Sequence, residues 1–417
     1  MFKRKALMES VSSNFDGFVK KISKNLSKPD KKFLKDASIG LLRAGKPIVC
    51  QMARQLPNQH TKFLSRLDRL DYGLVRNNGF DNKVKSELPQ IWLPFFKDDT
   101  PIILDLSDIA KPLARKMDYL ATVRDGSTGQ LVNGYWLVEL YASISHKNPV
   151  PVLLEPFSHN EPESPGQNPI VIEAVGKIFK LAGNRGVLIA DRGFDSGIMF
   201  DDWLDNKYRF VSRLIGNRHL MPLYADCKQL IPIRADQLAE QIRTPHRFYK
   251  TVKRNGKIVF RSCQIGWLKV RLPGRDEDLT MVVSRIPGVD KPMMLLTNLP
   301  VENVRDARCV MLYYVRRWEC EEAIRFLKSQ VNIEKIRTFR WTAICRLVLL
   351  AVLVMIYLGW IIEAHPNIAE RLIRLSQPLP DEPNFLSYRL LAGLTEAINT
   401  CFWLHKDLLR ESLWKNP

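Results

Sequence analysis

Apolar and polar positions fall into three textures along the chain. In Lys31–Ala44 the apolar residues Phe33, Leu34, Ile39, Leu41 and Leu42 recur at roughly helical spacing. Gly45 and Pro47 then punctuate the chain, and shorter helical stretches are predicted over Ile48–Leu56 and Lys62–Leu74. From residue 100 the pattern becomes that of strands: Pro101–Leu106, Gly134–Ile144 and Pro151–Phe157, with a loop at Asp125–Gly129. A helix over Pro169–Ala182, a strand over Gly186–Ala190, a helix over Ser196–Asn206 and a strand over Tyr208–Leu214 follow. This order predicts a mixed α/β sheet with crossover helices.

Residues 215–300 break that rhythm. Runs at Phe248–Lys253, Ile258–Leu272, Leu279–Ile286 and Met293–Leu296 read as strands, and Asn255-Gly256 between the first two is a hairpin signal. A β-rich subdomain inserted into the α/β unit is the expectation. From Val301 the chain is helical again, and Val304–Val331 reads as one long helix. Leu347–Ile362 holds 16 uncharged residues. As a helix it would span roughly 24 Å, short of a hydrocarbon core of roughly 30 Å, so it reads as a buried core helix.

Charge changes the picture. The 417 residues carry 63 Lys and Arg against 44 Asp and Glu, a net +19, which makes a polyanion the expected partner. More than half of that excess lies in Met1–Gln90, with 19 basic and 8 acidic residues. Short helices in so basic a segment suggest a helix-turn-helix-like DNA-binding module; a small bundle with a solvated basic face is the alternative. The seven cysteines are scattered without a C-x-x-C pair, which argues against a disulfide framework or a zinc knuckle and fits a reducing cytoplasm. The histidines show no ligand pairing, so a bound metal would be held by oxygen.

Two aspartates draw attention. Asp105 interrupts the apolar strand PIILDLSD, where a carboxylate is costly unless paired or metal-bound. Asp191 follows GVLIA, at the carboxyl end of a strand, where open α/β sheets place ligands. Taken singly, Asp105 could start a turn and Asp191 could lie in a helix-capping loop. On a continuous helix Tyr314, Arg317, Glu321 and Lys328 share an arc of about 60°. An ordinary solvated face is the alternative for that stripe.

The spacing Y-x-x-R-x-x-x-E-x-x-x-x-x-x-K at Tyr314, Arg317, Glu321 and Lys328 resembles the signature of bacterial cut-and-paste DDE transposases of the insertion-sequence-4 family. LDLSDIAK around Asp105, IADRGFD around Asp191 and LLTNLP at Leu295–Pro300 resemble the flanking text of that family. The separations, 86 positions from Asp105 to Asp191 and 130 from there to Glu321, are similar too.

The resemblance implies an α/β fold: an RNase H-like catalytic core (96–214 and 301–365) interrupted by a β-rich insertion (215–300). An N-terminal helical DNA-binding domain (1–95) would precede it and a C-terminal helical region (366–417) would follow. It implies that Asp105, Asp191 and Glu321 are a catalytic, metal-binding acidic triad. That triad would hold two Mg2+ ions, replaceable by Mn2+, about 3.5–4 Å apart for in-line phosphodiester displacement. Tyr314, Arg317 and Lys328 would hold DNA phosphates. Trp267 is a candidate to stack on a flipped base, with a core tryptophan as the alternative. Arg192 is a candidate phosphate contact, with a surface ion pair as the alternative. The implied partners are the element's terminal inverted repeats and target DNA, bound by a synaptic homodimer in which Pro383–Leu409 is a contact surface. No membrane partner is expected, and the location would be cytoplasmic and nucleoid-associated. Competing readings are an RNase H-like DNA endonuclease without strand transfer and a non-catalytic, transposase-derived DNA-binding protein.

Overall fold

The computed structural model describes residues 2–56, 61–145, 148–224, 231–254, 257–377 and 385–398, without the side chains of 2–5 and 250–261. Helices α1 (Phe2–Ile22), α2 (Lys28–Ala44), α3 (Val49–Arg54), α4 (Phe63–Val75), α5 (Phe80–Lys85) and α6 (Pro89–Trp92) lead into four strands. These are β1 (Pro101–Ala110), β2 (Ala121–Arg124), β3 (Leu131–Ser145) and β4 (Asn148–Phe157). Next come α7 (Gln167–Ala182), β5 (Val187–Ala190), α8 (Gly197–Asp205), β6 (Phe210–Arg213), β7 (His219–Pro222), β8 (Ile233–Arg234) and α9 (Ala235–Gln241). Strands β9 (His246–Arg254), β10 (Lys257–Arg271), β11 (Leu279–Arg285) and β12 (Met293–Thr297) precede α10 (Val304–Val315), α11 (Trp318–Ser329), α12 (Trp341–Ala364) and α13 (Pro366–Leu375). The Asn255-Gly256 turn lies outside the described residues, but the strands on either side pair antiparallel from Arg254↔Lys257 onward. Of Pro383–Leu409, only 385–398 are described, and 387–398 are helical.

The chain forms two compact units. One is built from 1–96, 106–164 and 321–417, the other from 97–105 and 165–320.

In the first unit β2, β3 and β4 form an antiparallel meander, with register shifts in the β3–β4 ladder at Leu140/Tyr141 and Ser143/Ser145. Its core is α12, buried along almost its whole length against β4, α2, α4 and α6. This is the apolar run expected as a core helix; among the described helices it alone is long and apolar enough to cross a membrane. Arg346 is 2% exposed within it. Its guanidinium donates to both Asp81 carboxylate oxygens and to the carbonyls of Gly73 and Arg76, and it lies 4.9 Å from the centre of the Phe80 ring. Gly73 is required where it stands, because a Cβ there would overlap the Phe33 ring. α2 starts on the Ser27 hydroxyl, which accepts from the Asp30 amide, and ends at Gly45 in the left-handed region. The 21-residue α1 was not foreseen, although Leu7, Val11, Phe15, Phe18 and Ile22 form its buried face.

Lys111, just beyond β1, is buried, and its ammonium donates to the carbonyls of Glu334 and Ile336. Burial lowers its pKa to about 8, against the attraction of Glu334 and with help from Arg337. Since the folded pKa lies below the ordinary 10.5, the unfolded chain binds this proton more readily between those values. Stability should therefore gain as pH rises from about 8 towards 10.5. Urea midpoints of wild type and Lys111→Met, compared at both ends of that window, should diverge in the wild type's favour at high pH. Parallel pH profiles would refute the assignment.

In the second unit the first residues of β1 pair in parallel with β5, and β5 pairs in parallel with β6. Antiparallel neighbours continue from β6 through β12, β11 and β10, and β10 also pairs with β9 and β7. The core is aliphatic and aromatic: Ile102, Ile103 and Leu104 of β1, β5 throughout, and Phe200, Trp203 and Phe210. The region predicted as β-rich also holds α9, whose Ala235, Leu238 and Ala239 are buried.

The long helix expected over Val304–Val331 is broken. α10 starts at Asn303, whose side chain accepts from the amides of Arg305 and Asp306, and ends at Val315. α11 starts at Trp318. Between them Arg317 N bonds to Tyr314 O, Glu319 N to Arg316 O and Cys320 N to Arg317 O, all three positions apart. This is 3₁₀ winding, in which residues three apart eclipse. Periodicity at 3.6 residues per turn cannot reveal such a tightening.

Candidate active site

The site begins with strand register. Leu104 pairs with Ala190, and Ala190 with Ser212. The next residue along each of these three parallel strands is Asp105, Asp191 and Arg213. The two carboxylates thus sit side by side, at a strand spacing of about 4.8 Å, with a guanidinium on the following strand. Burial of the strands behind them is complete, so each polar group is presented at the carboxyl edge of an apolar sheet.

The helix break supplies what faces that edge. At three residues per turn Tyr314, Arg317 and Cys320 fall on one side. The Tyr314 hydroxyl, on a side chain 3% exposed, donates to Asp191 Oδ1 at 2.9 Å. Arg317 Nη1 donates to Asp105 Oδ2 at 3.4 Å, and the Cys320 thiol donates to the same oxygen at 3.3 Å. Arg317 is 8% exposed, with its guanidinium 5.5 Å from the centre of the Trp318 ring. Leu312, on α10, is 40% exposed. The polar residues Tyr314 and Arg317 point inward, so the stripe is not a solvated face.

Electrostatics follow from this packing. Burial raises the Asp191 pKa, but the Arg192 amide, Arg317, Tyr314 and Arg213 together outweigh it and hold the carboxyl below its ordinary value. Burial and the Asp191 charge push the Tyr314 phenol up, so it stays a donor.

A cavity of about 450 Å³ opens beside these groups. Arg213, Tyr314 and Arg317 line its polar side; Phe248, Trp318 and Met311 contribute to an apolar remainder. Arg213 was missed in the sequence. Its signal was the one that marked Asp191, a polar residue just after a buried strand, but which strands are neighbours is not written in the pattern.

Other acids close to these positions in sequence have partners of their own. Asp195, beside Asp191, has a fully buried carboxylate that accepts from the Ile215 amide and from Arg218 Nε, each at 2.6 Å. Burial raises its pKa against those two bonds. Asp108 accepts from Lys328 at 2.8 Å and from the Gly126 amide at 3.1 Å. Glu319 pairs with Arg316, and Glu322 with Arg325.

Glu321 is half-buried on α11, and Lys328 lies two turns further along. The Lys328 ammonium is shared between Asp108 and Glu334, at 2.8 and 3.1 Å. Burial lowers its pKa, but those two carboxylates more than offset the effect and the net shift is upward. Arg192 is exposed on the turn after β5. Trp267 is half-buried on β10, stacked on His246 with ring centres 5.4 Å apart, and does not line the cavity.

Carboxylates suit a hard divalent cation, and two of them stand adjacent at the sheet edge. Among the described residues no three His, Cys, Asp or Glu side chains are grouped closely enough to hold a metal ion as they stand. Asp105 and Asp191 are therefore the part of the donor set that fits such an ion.

Comparison with known proteins gives three results. Residues 140–357, slightly more than half of the chain, match the family described as "Transposase DDE domain". That span includes Asp191, Tyr314, Arg317, Glu321 and Lys328, while Asp105 precedes it. No curated protein matches the chain. Among solved structures, the chain is similar to that of a piggyBac transposase synaptic complex with hairpin DNA. The TM-score is 0.44 at 11% identity, covering 88% of this chain and 73% of the other.

Proposed function

Because the chain belongs to the family of transposase DDE domains, we propose that it is a cut-and-paste DNA transposase with an RNase H-like catalytic core of the insertion-sequence-4 type. It binds the ends of its element, cleaves them hydrolytically and joins the freed 3′-hydroxyls to target DNA. One observation carries this reading: Asp105 and Asp191 stand side by side at the ends of parallel strands, faced by Tyr314 and Arg317 and flanked by Arg213.

Asp105 and Asp191, with Glu321 of α11, are the residues that would hold a divalent ion. Mg2+ is the ion proposed, with two bound and Mn2+ able to replace them. When bound, such ions stabilise both the attacking and the leaving oxygen of a phosphodiester displacement. The protein's own groups do the rest. The Tyr314 hydroxyl fixes Asp191 Oδ1 in place at the sheet edge. Arg213 and Arg317 present guanidinium forks, which match two phosphate oxygens and stabilise charge that builds up there. Partial burial lowers the local dielectric and strengthens both effects. The adjacent cavity, with Trp318 60% exposed, has the size and lining for an unstacked base.

The test uses duplexes carrying the inverted repeats that flank the reading frame. Purified protein with Mg2+ should nick these ends and join them to a second duplex, seen as slower-migrating products on a denaturing gel. Cleavage without joined products would indicate an endonuclease, and binding alone a non-catalytic relative; either outcome defeats the proposal.

A further inference from the structure

We propose that the lysines closing α1 and running along α2 form a dock for the backbone of duplex DNA that takes no account of sequence. This rests on the transposase reading only in taking DNA as the polyanion. Seven lysines fall between residues 20 and 35: Lys20, Lys21, Lys24, Lys28, Lys31, Lys32 and Lys35. All seven are exposed. The single acid of the segment, Asp30, is 6% exposed and bound to Asn78 and Arg76, so its charge is spent internally. Lys24 bonds to Gln90 and Lys35 pairs with Asp16, whose own side chain is half exposed.

The helix arranges four of these charges in a stripe. At about 100° per residue Lys28, Lys31, Lys32 and Lys35 share an arc of about 100°, opposite the buried Phe33, Leu34, Ala37 and Leu41. The stripe is about 10 Å long at 1.5 Å per residue. Duplex DNA presents about one phosphate charge per 1.7 Å of axis over its two strands, so a length of duplex matching the stripe carries about six, roughly three on each strand. The neighbouring α4, the later helix of the expected helix-turn-helix, does not share this character. Its exposed residues include Asp68, Asp71, Leu64 and Tyr72, and its carboxylates would repel phosphate.

The residue type sets the kind of recognition. Lysine is a point charge on a flexible stem, whereas reading a guanine edge relies chiefly on the bidentate fork of arginine. A stripe made of lysines alone holds the backbone and leaves the bases unread.

The measurement is the salt dependence of full-length protein binding a fluorescent duplex of random sequence, between 50 and 200 mM NaCl. Each phosphate contact contributes about 0.9 to the slope of log K against log salt. K28Q, K31Q and K32Q should therefore each lower the slope by about one, equally for random and terminal-repeat duplexes. K28Q/K31Q/K32Q/K35Q should lower it by three to four and weaken binding at 100 mM by at least about tenfold, while the corresponding arginine quadruple keeps wild-type affinity. Unchanged slopes in the single variants overturn the dock, as does a loss confined to the terminal-repeat duplex. Neither result touches the transposase reading, which stands or falls on cleavage and joining of the ends by wild type.

Discussion

Asp191→Asn should reduce cleavage of the element's ends by at least about 10³-fold, which corresponds to roughly 4 kcal/mol of lost transition-state stabilisation. Binding of the same ends should change by less than about twofold, because phosphate contacts elsewhere on the chain are untouched. Asparagine is the informative replacement. Its carbonyl still accepts the Tyr314 hydroxyl bond that Asp191 Oδ1 accepts now. What disappears is the negative charge that Arg213, Arg317 and the Arg192 amide hold in the ionised state. Gel shift and cleavage assays on one preparation separate the two effects. Wild-type cleavage by the variant would remove Asp191 from the chemistry. Asp195→Asn is the companion experiment. Asp195 is fully buried and bound to Ile215 and Arg218, so its replacement should lower the melting temperature and reduce activity only in proportion to folded protein.

The second large effect concerns stability. Arg346→Met should cost the first unit about 3–5 kcal/mol, read as a lower urea midpoint with an unchanged slope. The guanidinium satisfies Asp81 and two backbone carbonyls from inside an otherwise apolar helix. Methionine fills much of the volume but leaves those acceptors without a donor, which is the expensive half of the exchange. Arg346→Met combined with Asp81→Leu should recover part of the loss, since an apolar pair removes an unmatched charge as well. A single variant as stable as wild type would show that water satisfies the Asp81 end and the two carbonyls equally well.

Much of this was legible in the residues, and most of the parts that were not share a cause. The strands bearing Asp105 and Asp191 were read from short apolar runs, and both were found within a few residues of their bounds. Alternation and periodicity are local properties, and those elements are locally determined. Arg213 was invisible because its relevance depends on β6 lying beside β5, a fact of topology. The helix break was invisible because i→i+3 bonding at Arg316 and Arg317 leaves the apolar pattern almost unchanged. The pairing of Lys328 with Asp108 and Glu334 joins residues far apart in sequence, and no spacing rule anticipates it. α1 was a different failure: its helical spacing was present, but Ser12, Ser13, Asn14, Asp16 and Gly17 are weak helix formers and dilute the signal.

The way α12 closes the first unit has a consequence for how the protein is made. Its partners α2, α4 and α6 leave the ribosome early, while the helix they enclose is specified some 250 residues later. At about 5–20 residues per second that interval lasts roughly 12–50 s, during which the faces of α2, α4 and α6 that pack on α12 stay uncovered. The nascent N-terminal quarter must therefore wait, with its apolar faces open to chaperones or to one another. Any truncation before Trp341 leaves that wait without an end.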